Sequence, residues 1–92
     1  MFYTYVLMDE SGELYTGLTR DLKRRLSEHN QNKSSATKGH RWHCIYYEGC
    51  LEYADARRRE KYLKKTQGQR MLKLRLKEYF FKRRKPKFHY GV

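Results

Sequence analysis

Alternation opens the chain. Phe2-Tyr-Thr-Tyr-Val-Leu-Met8 is rich in aromatic and β-branched residues and predicts a strand, with Tyr3, Tyr5 and Leu7 on one face and Phe2, Thr4, Val6 and Met8 on the other. Asp9-Glu10-Ser11-Gly12 reads as a turn, and Glu13 to Leu18 as the strand that returns to close an antiparallel hairpin. The period then lengthens. Leu22 and Leu26 lie i, i+4 apart, and Arg25 and His29 complete an i, i+3, i+4, i+7 set with them, which predicts a first helix. Thr19 is its expected N-cap, with Asp21 in the first turn. Gln31 to Arg41 is polar and rich in Gly, Ser and Lys, a surface loop. Trp42 to Glu48 is aromatic on both faces and reads as a third strand at the centre of the sheet. A second helix is expected from about Tyr53 to Lys65, with Tyr53, Ala56, Glu60 and Leu63 on one face. Thr66-Gln67-Gly68 breaks that pattern. Gln69 to Phe81 forms a third helix with Leu72, Leu76, Tyr79 and Phe80 inward and a weaker apolar line, Leu74 and Phe81, on the other side. The order β-β-α-β-α-α predicts an α+β fold, a small antiparallel sheet flanked by helices. It occupies residues 1–81, ahead of a basic tail over 82–92.

Two helices spoil their own amphipathic pattern. Arg25 and His29 fall on the face that a helix uses for packing, and Glu60 is a lone carboxylate on the inward stripe of an otherwise basic helix. Buried charge is costly unless it is paired or put to use. These polar intruders mark a candidate site.

Composition sharpens the picture. The 92 residues carry 22 Lys+Arg against 10 Asp+Glu, a formal net charge of +12, which suits a polyanionic partner such as nucleic acid. Nine tyrosines bring hydroxyls that need partners or tasks. Cys44 and Cys50 have no metal-binding or redox spacing, so a reducing cytoplasm is expected. No apolar run approaches the ~18 residues that span a bilayer, and no signal-peptide pattern is present, so no membrane role is expected.

Cleaving a phosphodiester requires a base for the attacking water, stabilisation of the phosphate charge and neutralisation of the leaving oxygen. A strand tyrosine close to cations and a metal ion, its pKa lowered, is a candidate base, and Tyr5 and Tyr15 both qualify. Arg25 would grip the phosphate with its planar fork. His29 would orient that phosphate or assist proton transfer, and Glu60 would hold Mg²⁺ or Mn²⁺. The bland alternatives are an Arg25–Glu60 ion pair, a Glu60–Lys64 helical pair and an ordinary half-buried histidine.

Tyr3-Thr4-Tyr5, ten residues before Tyr15-Thr16-Gly17, followed by Arg25, His29 and a helical Glu60, resembles the GIY-YIG endonuclease domain. The likeness runs from about Phe2 to Phe81 and is nearest to small standalone bacterial members, similar to the N-terminal nuclease domain of the nucleotide-excision-repair excinuclease. Ile45-Tyr46-Tyr47-Glu48 and Arg59-Glu60-Lys61-Tyr62-Leu63-Lys64-Lys65 also resemble that subgroup. The resemblance implies a three-stranded antiparallel sheet and metal-dependent cleavage of DNA. Tyr5, Tyr15, Arg25, His29 and Glu60 take the catalytic positions, with Glu60 as metal ligand. Arg25, Lys38, His40, Arg57, Lys61 and Lys64 are the expected nucleic-acid contacts. Two departures stand out: the first motif lacks its glycine and isoleucine, and no asparagine follows Glu60. No separate recognition domain is expected, so branched, damaged or single-stranded DNA is the expected substrate rather than a defined sequence. A monomer is expected. The alternatives are a non-catalytic nucleic-acid-binding module of the same fold and an interaction protein docking through Leu74 and Phe81.

Overall fold

Strand β1 (Phe2–Asp9) turns at Asp9–Glu13 and pairs antiparallel with β2 (Leu14–Thr19). Gly12 takes φ +93° there, a left-handed conformation that glycine adopts without strain. The Asp9 carboxylate ties the turn together: its Oδ1 accepts from Ser11 N, Ser11 Oγ and Glu13 N at 2.8–2.9 Å. Helix α1 (Leu22–Asn30) follows, then β3 (Trp42–Cys50), α2 (Tyr53–Leu63), α3 (Thr66–Arg75) and α4 (Lys77–Phe88). The computed structural model describes residues 1–32, 34 and 36–88, with side chains as far as residue 83. It separates into two units, one of residues 1–61 and one beginning at Tyr62.

The first unit holds the sheet, in the order β2-β1-β3 with both pairings antiparallel. The central strand is therefore β1, not β3 as its aromatic content suggests. Each residue of β1 from Thr4 to Asp9 is buried, whereas β3 is an edge strand whose Tyr47 is 58% exposed. A register shift at Val6/Leu7 bulges β3 at Ile45. On one face Tyr5, Leu7 and Trp42 form a core against Tyr15, Leu22, Leu26 and Cys44. On the other, Thr4 Oγ1 donates to the Ala56 carbonyl of α2 at 2.8 Å, and Phe2 meets Tyr53 edge-on at 5.7 Å. One buried hydroxyl thus satisfies itself on the helix that covers it.

Helix α1 is capped by Asp21, whose Oδ1 accepts from Arg24 N at 3.1 Å. The expected cap, Thr19, instead accepts from Asp21 N and so steadies the true cap. At its other end Asn30 grips β3 with both halves of its amide, donating to Trp42 O at 2.8 Å and accepting from Trp42 N at 2.7 Å. Glu48 of β3 is forked by Arg59 of α2 at 2.7 and 2.9 Å and also accepts from the Tyr46 hydroxyl. This bidentate geometry joins the two segments that carry the subgroup resemblance.

In the second unit Leu63, Gly68 and Leu72 are buried. Thr66-Gln67-Gly68 lies within α3, so the break falls earlier, at Lys64–Lys65. Gly68 serves packing. A Cβ at this position would strike the Tyr62 carbonyl and crowd Leu63 Cα. The expected third helix is interrupted at Leu76, φ −106° and ψ 31°, and α4 continues to Phe88. Leu74 and Phe81 are both exposed. Of the basic tail expected over 82–92, residues 89–92 lie outside the described residues. Cys44 and Cys50 are both free thiols. Among the described residues no helix is long and apolar enough to cross a membrane.

Because the atoms facing Gly68 are backbone, Gly68→Ala cannot be absorbed by a side-chain rotation. It should cost about 1–3 kcal/mol, and each kcal/mol lowers Tm by roughly 4–8 °C in a domain of this size, readable by thermal denaturation.

Candidate active site

The site is built outward from Gly17. In the β1–β2 register Gly17 stands opposite Tyr5, and a Cβ on it would occupy the place of the Tyr5 ring edge and hydroxyl. The missing side chain is what lets Tyr5 lie across β2. There its hydroxyl meets His29 Nε2 at 2.8 Å, while His29 Nδ1 meets Thr37 Oγ1 at 2.7 Å. Tyr5, His29 and Thr37 are 1%, 0% and 0% exposed. Burial, and then the Arg25 charge, lower the His29 pKa, so the ring is neutral at pH 7. The directions of the hydrogen bonds then follow by assignment from the network. The phenol donates to Nε2, Nδ1–H donates to the threonine, and Thr37 donates onward to Ser34 O.

Tyr5 itself is pushed up to about 12. Burial is the chief cause and the neighbouring Tyr15 adds to it; Arg25 pulls the value down and Glu60 pushes it up. That is the opposite of the lowered pKa expected of a tyrosine base. Burial pushes the phenol up and the imidazole down, so both shifts keep the shared proton on the Tyr5 oxygen rather than on His29. Tyr5 keeps its proton.

Tyr15 is half-buried and stacks edge-on against His29 at 4.9 Å and Trp42 at 6.2 Å, with Tyr5 at 6.4 Å. Arg25 is 31% exposed and pairs with Glu28 at 3.0 Å. Glu60, 12% exposed, accepts from Arg57 Nη1 at 2.8 Å. Tyr15, Arg25 and Glu60 each act electrostatically on the Tyr5 phenol. Trp42 closes the loop side by donating from its indole N–H to Thr37 O at 2.9 Å.

The expected nucleic-acid contacts are more scattered. Lys38 and Lys61 are exposed in the first unit, and Lys64 is exposed in the second. Arg57 is half-buried on Glu60. His40 does not stand alone in its loop: its Nδ1 is 3.0 Å from Asp9 Oδ2 and 3.7 Å from Glu10 Oε2. Thr37, which fixes the histidine tautomer, has no distinguishing mark within a polar loop.

A family model described as the GIY-YIG catalytic domain matches residues 1–73. A UPF0213 protein of Desulfotalea psychrophila is 33% identical over 66 residues, 64% of this chain and 56% of that protein. One of Bacillus pumilus is 37% identical over 65 residues, 70% of this chain and 66% of its own length. One of Streptococcus agalactiae is 54% identical over 33 residues, 36% of this chain and 38% of that protein. The chain thus spans less than two thirds of each of these relatives. No solved structure matches significantly.

Two measurements probe the buried triad. The unfolded chain binds a proton at His29 near its ordinary pKa of 6.5, whereas the folded protein resists until lower pH. Stability present above about pH 6.5 should therefore be lost as pH falls below it, by at most about 1.4 kcal/mol per pH unit, and His29→Gln should flatten that slope in urea melts. Gly17→Ala should displace Tyr5 and destabilise by about 1–3 kcal/mol, with a shifted His29 imidazole resonance by NMR.

Proposed function

Because the chain belongs to the GIY-YIG catalytic-domain family, we propose that it is an endonuclease that uses a divalent metal ion to hydrolyse DNA phosphodiesters. Its substrates are selected by branching, damage or single-strandedness rather than by sequence. One observation carries the reading. Tyr15, Arg25 and Glu60 act electrostatically on, or touch, a single buried Tyr5–His29 pair, in a chain of net charge +12.

The buried and half-buried groups divide the work. Tyr15 retains access to solvent and is the tyrosine placed to hydrogen-bond an attacking water. Tyr5, with its proton held and its hydroxyl on His29, is a positioning residue that fixes the imidazole on which Tyr15 rests. Arg25 presents its guanidinium to the scissile phosphate, with Glu28 orienting the fork. Bulk cations such as Lys38 and Lys61 supply backbone attraction without base readout.

Glu60 supplies a hard oxygen donor, and Mg²⁺ or Mn²⁺ commonly needs only one or two protein carboxylates, the rest of its shell being water and phosphate. The residues present fit such an ion. Bound there, it would neutralise charge on the phosphate and the leaving oxygen. Arg57 holds the Glu60 carboxylate from the side and fixes its orientation.

Purified, tag-free protein with Mg²⁺ or Mn²⁺ should nick branched or single-stranded DNA. EDTA should stop it, and Glu60→Gln should slow it by about 10²–10³-fold while leaving DNA binding intact. Equal cleavage by the Glu60→Gln protein would refute the site. Salt-sensitive binding with no cleavage under any metal would favour the non-catalytic module.

A further inference from the structure

A second polar cluster sits at the opposite end of β1 from Tyr5. Asp9 lies four residues along the strand, about 13 Å at ~3.3 Å per residue. Its carboxylate is 1% exposed, yet only Oδ1 is satisfied. Oδ2 is fully buried and has no hydrogen-bond donor among the described residues. It points at His40 Nδ1, 3.0 Å away without forming a hydrogen bond, and Glu10 Oε2 stands 3.7 Å from the same nitrogen. One ligand atom from each of the three side chains lies within 4.8 Å of the others.

An anionic oxygen held dry without a donor is unfavourable unless something cationic completes it. Both carboxylates are also braced on their far oxygens. Asp9 Oδ1 takes three donors from Ser11 and Glu13, and Glu10 Oε1 takes the Arg41 backbone N–H at 3.0 Å. Outer-shell bracing of this kind orients metal ligands. Around an ion with bonds of 2.0–2.2 Å, tetrahedral ligand atoms stand about 3.4 Å apart. The observed 3.0 and 3.7 Å bracket that spacing.

We propose that Asp9 Oδ2, Glu10 Oε2 and His40 Nδ1 bind a divalent transition-metal ion such as Zn²⁺, with water in the fourth position. A mixed imidazole and carboxylate set suits zinc or cobalt, whereas magnesium prefers oxygen alone. Glu10 and His40 are open to solvent, so the ion has a path in. The ion fastens the end of the 31–41 loop to the β1–β2 turn. Thr37, three residues before His40, holds the catalytic-side histidine, so the ion stiffens the segment that positions it. This role is structural and independent of Glu60.

Metal-stripped, tag-free Glu60→Gln protein should be titrated with Zn²⁺ by calorimetry and with Co²⁺ by visible absorption. The expected result is one saturable site per chain, Co²⁺ bands without thiolate charge transfer, and slower tryptic cleavage after Lys38 when zinc is present. His40→Gln and Glu10→Gln should each weaken binding at least tenfold; both side chains are exposed, so neither change threatens folding. Asp9 is left intact because it holds the turn. Absence of saturable uptake would mean a plain imidazolium–carboxylate pair, and uptake unchanged in both variants would put the metal elsewhere. Either result overturns the proposal, and neither depends on DNA cleavage.

Discussion

A neutral histidine sealed between a tyrosine and a threonine is the constraint on which this structure depends. His29 has no exposure to water, so each ring nitrogen must be satisfied from within, and the sheet, the helix and the loop each contribute one part. Remove any one and a buried polar group loses its partner, at about 1–3 kcal/mol in a small domain with little stability to spare. Gly17 belongs to the same constraint, since the tyrosine reaches the histidine only across a residue without a side chain. The local order of β1, β2, α1 and the loop is thus one interlocked unit.

Charge is kept out of that unit and arranged around it. Arg25 and Glu60 remain partly open to solvent and are each steadied by a neighbour one helical turn away, Glu28 and Arg57. An arginine so held keeps its fork aimed without the full desolvation cost of burial. The tyrosines divide in the same way: Tyr5 is dry and holds its proton tightly, while Tyr15 is half-open.

The periodicities that specify the elements are plain in the sequence, and so are the polar intruders Arg25, His29 and Glu60. Strand order is not. The aromatic wealth of Trp42 to Glu48 suggests a central strand, but those rings partly face solvent, while β1 hides a threonine in its buried face by bonding Thr4 to the Ala56 carbonyl. A hydroxyl satisfied across 52 residues leaves no local trace. Thr37 is invisible for the same reason, one polar residue in a polar loop. Gly68 misleads in the other direction, reading as a helix breaker when it lies within α3 and marks close packing on the backbone of Tyr62 and Leu63. The direction of the Tyr5 pKa depends on burial, which residue types alone do not fix.

The sheet has three strands, so β2 and β3 each leave one edge without a neighbouring strand among the described residues. Such edges invite pairing with another copy, and nature commonly guards them with charge. Here the guard is the net charge of +12, which repels like chains at a distance. Its reach is set by the Debye length, about 10 Å at 0.1 M salt and about 3 Å at 1 M. Colloidal behaviour and ligand attraction therefore share one origin: whatever neutralises the cations, whether salt or a bound polyanion, also lets copies approach edge to edge.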